Sequence, residues 1–130
     1  MVRQLLTLCC ADPSAVPEEI VAASVALAEQ RATIPGLDAA FLSAARSLLL
    51  LNANRGAYWS AMRAITAPVL LMHGERDRLV PISAAREAAS RNPNWRFESL
   101  PGIGHVPQLE APDLVADLLL DWLESAHSKN

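Results

Sequence analysis

"PVLLMHGERDRLVP", residues 68–81, decides how this chain is read. A continuous apolar run lies between Pro68 and Gly74, and a run of that length reads as a strand buried on both faces, as in parallel sheets. A polar turn holding Asp77 follows. Pro81 then opens "PISAAREAASRN", residues 81–92, as a helix. "WRFESLP", residues 95–101, alternates apolar and polar side chains and predicts a second strand. "GIGHVPQLE", residues 102–110, carries two glycines and a proline and predicts a loop. In "APDLVADLLLDWLESAHSKN", residues 111–130, Pro112 sits near the first helical position. Val115, Leu118, Leu119, Trp122 and Leu123 make one apolar stripe there, and the polar tail from Ser125 is expected to fray. Strand, helix, strand, loop, helix in this order predicts two parallel strands joined by a right-handed crossover, an α/β fold.

Upstream the pattern is helical. Pro17, Glu18 and Glu19 suit the first turn of a helix, where the macrodipole favours acid, and Ile20, Val21, Ser24, Leu27 and Ala28 keep its period. Pro35 and Gly36 end it. Further helices are expected over 37–52 and 57–64, with Asn54, Arg55 and Gly56 as punctuation. The chain therefore divides into a helical segment, 1–64, and an α/β segment, 65–130.

The 130 residues suffice for one domain with a core. Hydrophobic residues make up 52% and charged residues 19%, the balance of a soluble globular protein. A net charge of −3, with 11 scattered basic residues, leaves no footprint for nucleic acid or an anionic membrane. Cys9 and Cys10 are adjacent and no Cys/His cluster has zinc spacing, so reduced thiols in a cytoplasmic protein are expected, with no metal and no cofactor. The start of the chain is too short and too weakly basic for a signal peptide, and no stretch is long enough to span a bilayer.

In open α/β sheets, functional side chains gather at the carboxyl ends of strands. Asp77 follows the first strand and His105 the second. If the strands are parallel neighbours, both loops emerge at one edge of the sheet. Asp77 then accepts from the imidazole Nδ1–H of His105 and fixes its tautomer, leaving Nε2 as a general base.

"PVLLMHGERDRLVP" followed by "LPGIGHVPQLEAPDLVADLLLDWL" resembles the last third of the α/β-hydrolase fold, in its lid-bearing serine hydrolase branch. The likeness is strong over about residues 65–124 and weaker over 1–64. It implies that Asp77, in its strand–G-x-x-D–x-x-V-P setting, is the acid of a catalytic triad. It implies that His105, in G-x-G-H-x-P followed by E-x-P, is the base. The helix after Pro112 resembles the family's final helix, and the helices before Pro68 resemble its lid. His73 and Gly74 are similar to the family's oxyanion HG pair but stand directly ahead of the acid rather than far upstream, so they read as the strand's end. Glu75 and Arg76 read as solvated turn residues, Tyr58, Trp59 and Met62 as core rather than acyl pocket, and His127 as tail.

The family's nucleophile sits in G-x-S-x-G on a sharp strand-to-helix turn. None of the serines, at 14, 24, 43, 47, 60, 83, 90, 99, 125 and 128, has those flanking glycines. The resemblance therefore implies the lid and final strands of a truncated esterase-like hydrolase, partial in fold and inactive alone. Its expected partners are a small acyl substrate, if an N-terminal half completes it, and a second chain on the open strand edge. Neither nucleic acid nor membrane is expected. A non-catalytic interaction protein, or a degraded hydrolase remnant, is the alternative.

Overall fold

In the computed structural model, which describes residues 2–127, strands β1 (Leu70–Gly74) and β2 (Arg96–Leu100) form a two-stranded parallel sheet. The register runs from Leu70 opposite Arg96 to Gly74 opposite Leu100. In chain order the helices are α1 (Val2–Cys9), α2 (Glu18–Ala32), α3 (Leu37–Ala53), α4 (Arg55–Arg63), α5 (Ile82–Arg91), α6 (Pro107–Glu110) and α7 (Pro112–His127). A single 3₁₀ turn lies at Pro13–Ala15. A parallel pair needs a crossover, and α5 supplies it. It packs on both strands, with Ala85 and Ala88 buried. Small side chains there let the helix approach the sheet closely. Asn92, itself buried, ends α5 by donating its side-chain amide to the Ala88 carbonyl at 2.9 Å.

Two compact units make up the chain: residues up to Val21 together with those from Pro68 onward, and Ala22–Ala67. Cys10, Val16 and Val21 form a buried cluster against which Leu6, Val106 and Leu109 pack, so the first 21 residues share a core with the His105 loop. In the second unit α2 ends ahead of Pro35, and Gly36, at φ 79°, starts α3. Asn54 both ends α3 and caps α4, its side chain accepting from the Ala57 amide at 3.1 Å. Helix α4 therefore starts at Arg55, two residues before the expected position, because a side-chain acceptor satisfies an otherwise orphaned N–H.

Three expectations are corrected. β1 is shorter than residues 68–74 and is not buried on both faces: Leu70 to His73 are half-buried and Gly74 alone is buried. Two strands of five residues are too narrow for neighbours to cover both sides. The α7 stripe is not sealed either. Val115, Leu118 and Trp122 are half-buried while Leu119 and Leu123 are exposed, for the same lack of sheet area. One exposed ion pair joins β2 to α7, from Arg96 to Asp121 at 2.5 Å, while Arg96 also pairs within its own strand with Glu98 at 2.8 Å. Finally, residues 102–110 are not all loop, since Pro107 opens the one-turn helix α6. The expected fraying from Ser125 is not seen as far as His127; the remaining tail lies outside the described residues.

Both cysteines are free thiols. Among the described residues, no single helix is long and apolar enough to cross a membrane; α2 and α3 pass that test of length and composition only as a bent pair.

Candidate active site

The two strands end side by side, and their loops interlock. The Glu75 amide donates to the Leu100 carbonyl at 3.0 Å and the Arg76 amide to the Ile103 carbonyl at 2.8 Å. This carries the strand pairing into the turns and places the Asp77 turn against the His105 loop. Gly74 is a steric requirement of that approach: a Cβ there would meet the Ile103 and Gly104 backbone, 2.7 Å from the Ile103 carbonyl carbon. Gly102, at φ 78°, turns the chain out of β2 in a conformation that glycine alone adopts freely.

Asp77 shapes its own turn. Its Oδ1 accepts from the Leu79 amide at 2.8 Å and the Val80 amide at 2.9 Å. That is ordinary turn chemistry for aspartate, and it leaves Oδ2 free. His105 Nδ1 stands 2.8 Å from Oδ2. The Asp77 side chain is 3% exposed and that of His105 37%. The acid is thus sheltered while the imidazole reaches outward. Burial pushes the Asp77 carboxyl up, but donation from Val80, His105 and Leu79 outweighs it and holds the group below the usual carboxylate value. An ionised carboxylate can only accept, so Nδ1 of His105 carries the proton and, in the neutral ring, Nε2 keeps its lone pair.

The lowered Asp77 value fixes a pH dependence. The folded protein holds this proton less tightly than the unfolded chain does. The stabilisation is therefore present above the unfolded value, about 4, and is lost as pH falls through the folded value. Denaturation of wild type and Asp77→Asn between pH 7 and 3 should show the wild type losing stability relative to the variant below about pH 4. Parallel curves across that range would exclude the linkage.

A second imidazole, that of His73, stands at the same carboxylate, although the sequence marked it only as the end of a strand. Its Nε2 is 3.0 Å from the Val80 carbonyl and 3.4 Å from Asp77 Oδ2. A carbonyl cannot donate, so that Nε2 carries a proton. His73 therefore braces the turn from the strand side. No periodicity signals a contact between positions 73 and 77 across a strand end. Glu75 is an exposed turn residue, as expected; it accepts from Ser99 Oγ at 2.6 Å and lies 3.7 Å from Arg86.

The other residues singled out in the sequence have the following surroundings. Tyr58 and Trp59 pack edge to face on α4, centroids 4.9 Å apart, within the Ala22–Ala67 unit. The side chain of His127 lies outside the described residues. Ser14, Ser47, Ser90, Ser99 and Ser125 donate their hydroxyls to Asp12, Ser43, Glu87, Glu75 and Trp122. Burial and the charge of Glu110 push the Cys10 thiol up, which keeps it protonated and a poor nucleophile. Among the described residues, no group of three or more His, Cys, Asp or Glu side chains could hold a metal ion.

Residues 5–118 match the sequence profile of the Alpha/beta hydrolase family. Over 59 residues the chain is 39% identical to a pimeloyl-[acyl-carrier protein] methyl ester esterase of Xanthomonas campestris pv. campestris (strain B100), covering 45% of this chain and 23% of that protein. Over 65 residues it is 38% identical to a non-heme haloperoxidase of Rhodococcus erythropolis, covering 49% and 24%. The chain thus spans about a quarter of the length of these curated relatives. The solved structure of the protein lip1 from Acinetobacter baumannii AYE matches it with a TM-score of 0.75 at 22% identity, covering 99% of this chain and 42% of that one. That last likeness is one of fold.

Proposed function

Because this chain belongs to the alpha/beta hydrolase family, we propose that Asp77 and His105 are the acid and base of a Ser–His–Asp triad whose serine lies outside these 130 residues. The reaction is hydrolysis of an ester or a similar small acyl substrate. The observation that carries this reading is the 2.8 Å contact from His105 Nδ1 to a sheltered, ionised Asp77. The esterase among the curated relatives agrees with it in reaction class.

In that reaction Nε2 of His105 takes the proton of the serine hydroxyl as the oxygen attacks the acyl carbon. The same nitrogen then returns the proton to the departing alcohol oxygen. Water repeats the sequence on the acyl-enzyme: Nε2 removes its proton, and the serine oxygen leaves with that proton. Asp77 keeps Nδ1 protonated throughout and supports the positive charge that develops on the ring. Without a nucleophile and oxyanion donors the chain alone forms no acyl-enzyme. The helical segment 1–64 is the proposed lid segment of that hydrolase.

A short-chain chromogenic ester tests this. The chain alone should not hydrolyse it above background. A polypeptide extended at the amino end to supply a Gly-x-Ser-x-Gly elbow should, and His105→Ala should lower that turnover by at least about 10³-fold. Turnover untouched by His105→Ala would refute the assignment. A second reading, a non-catalytic partner-binding protein, is favoured by helix α3, where Phe41 is 71% and Leu50 73% exposed. Under it, the extended polypeptide shows no ester turnover to lose.

A further inference from the structure

Glu110 closes α6, and its carboxylate is surrounded by main-chain amides. Oε1 accepts from the Gly104 amide at 2.8 Å, and Oε2 from the Ala11 amide at 2.7 Å and the Asp12 amide at 3.3 Å. These donors come from two segments more than ninety residues apart in sequence. The amide of His105 itself donates to the Cys9 carbonyl at 2.7 Å. Gly104 is buried against the other segment; a Cβ there would lie 2.5 Å from the Cys9 oxygen and 2.6 Å from the Ala11 nitrogen. Segments 9–12 and 104–105 therefore lie backbone to backbone, with the Gly104 and Ala11 donors both turned toward one carboxylate.

That arrangement needs an acceptor at both ends. A glutamine has the right size but presents one oxygen and one amine. Whichever way it turns, the amine confronts Gly104 on one side or Ala11 and Asp12 on the other. A buried donor left facing a donor is costly. Charge rather than volume is what position 110 requires.

We infer that Glu110 is a positioning residue for His105. By tying Gly104 to the 11–12 backbone it holds the imidazole where Nδ1 meets Asp77 and Nε2 faces the reacting serine. The inference rests on the triad reading above and assigns the loop's placement to one side chain.

Proton–nitrogen NMR of the uniformly ¹⁵N-labelled 130-residue chain reads this directly. Wild type should show a strongly deshielded His105 Nδ1–H, and slow hydrogen exchange at the Gly104 and Ala11 amides. In Glu110→Gln the Nδ1–H signal should weaken, the Nε2–H tautomer should appear, and exchange at Gly104 or Ala11 should rise about tenfold or more, the scale of one bond to a charged group. Added formate should restore the His105 signal in Glu110→Ala. An unaltered His105 signal in a folded Glu110→Gln protein would reduce Glu110 to an anchor and overturn the inference. If neither variant folds, wild type still decides: Gly104 and Ala11 amides exchanging as fast as open-loop amides overturn it. Asp77→Asn separates the two readings, because it should abolish the Nδ1–H signal while leaving the Gly104 and Ala11 amides slow. A wild type with slow amides but no such signal would fail the triad reading and leave the clamp without a catalytic purpose.

Discussion

Asp77→Asn should lower the turnover of a serine-supplied form of this protein by about 10⁴-fold, near 5.4 kcal/mol of transition-state stabilisation, the size known for the equivalent change in a serine protease. The turn itself should survive. Leu79 and Val80 both donate to Oδ1, so two backbone bonds, each worth about 1 kcal/mol, direct the asparagine oxygen toward them. Its amine then faces His105 Nδ1–H, donor against donor. The ring escapes by moving its proton to Nε2, which removes the lone pair that must accept the serine proton. Stability at neutral pH should fall only modestly, so the loss appears in kcat rather than in folding. Ester kinetics and the histidine tautomer give the check; a drop of only a few-fold would remove Asp77 from the triad.

Gly74→Ala should be the most damaging single-methyl change, at about 3–5 kcal/mol. The added carbon falls on backbone, not on a flexible side-chain end. Ile103 and Gly104 must move, and overpacking of that kind costs about 1–3 kcal/mol. The movement also breaks the bonds from Glu75 to Leu100 and from Arg76 to Ile103, at about 1 kcal/mol each. Gly102→Ala is the useful contrast. Open space surrounds that position and only its positive φ is strained, so about 1 kcal/mol is expected. Denaturant midpoints measure both, and equal losses would mean that the close approach at Gly74 is not what the fold depends on.

The amino-acid sequence by itself determined the strand–helix–strand order from Pro68 and the final helix, though not the one-turn helix α6, together with the parallel pairing and the meeting of Asp77 with His105. Each of these follows from local rules. An apolar run between Pro68 and Gly74 makes a strand, Pro81 and Pro112 open helices, and parallel neighbours put their loops at one edge. The tertiary structure alone decided that residues up to Val21 share a core with the His105 loop, that Glu110 clamps Gly104 to Ala11, and that His73 shares the Asp77 carboxylate. It also decided that the α7 stripe and β1 stay partly open. Periodicity reports which side of an element is apolar, not whether anything arrives to cover it. The contacts of Glu110 join backbone amides, which every residue carries, so no letter in the sequence marks which of them the folded chain will bring to one carboxylate.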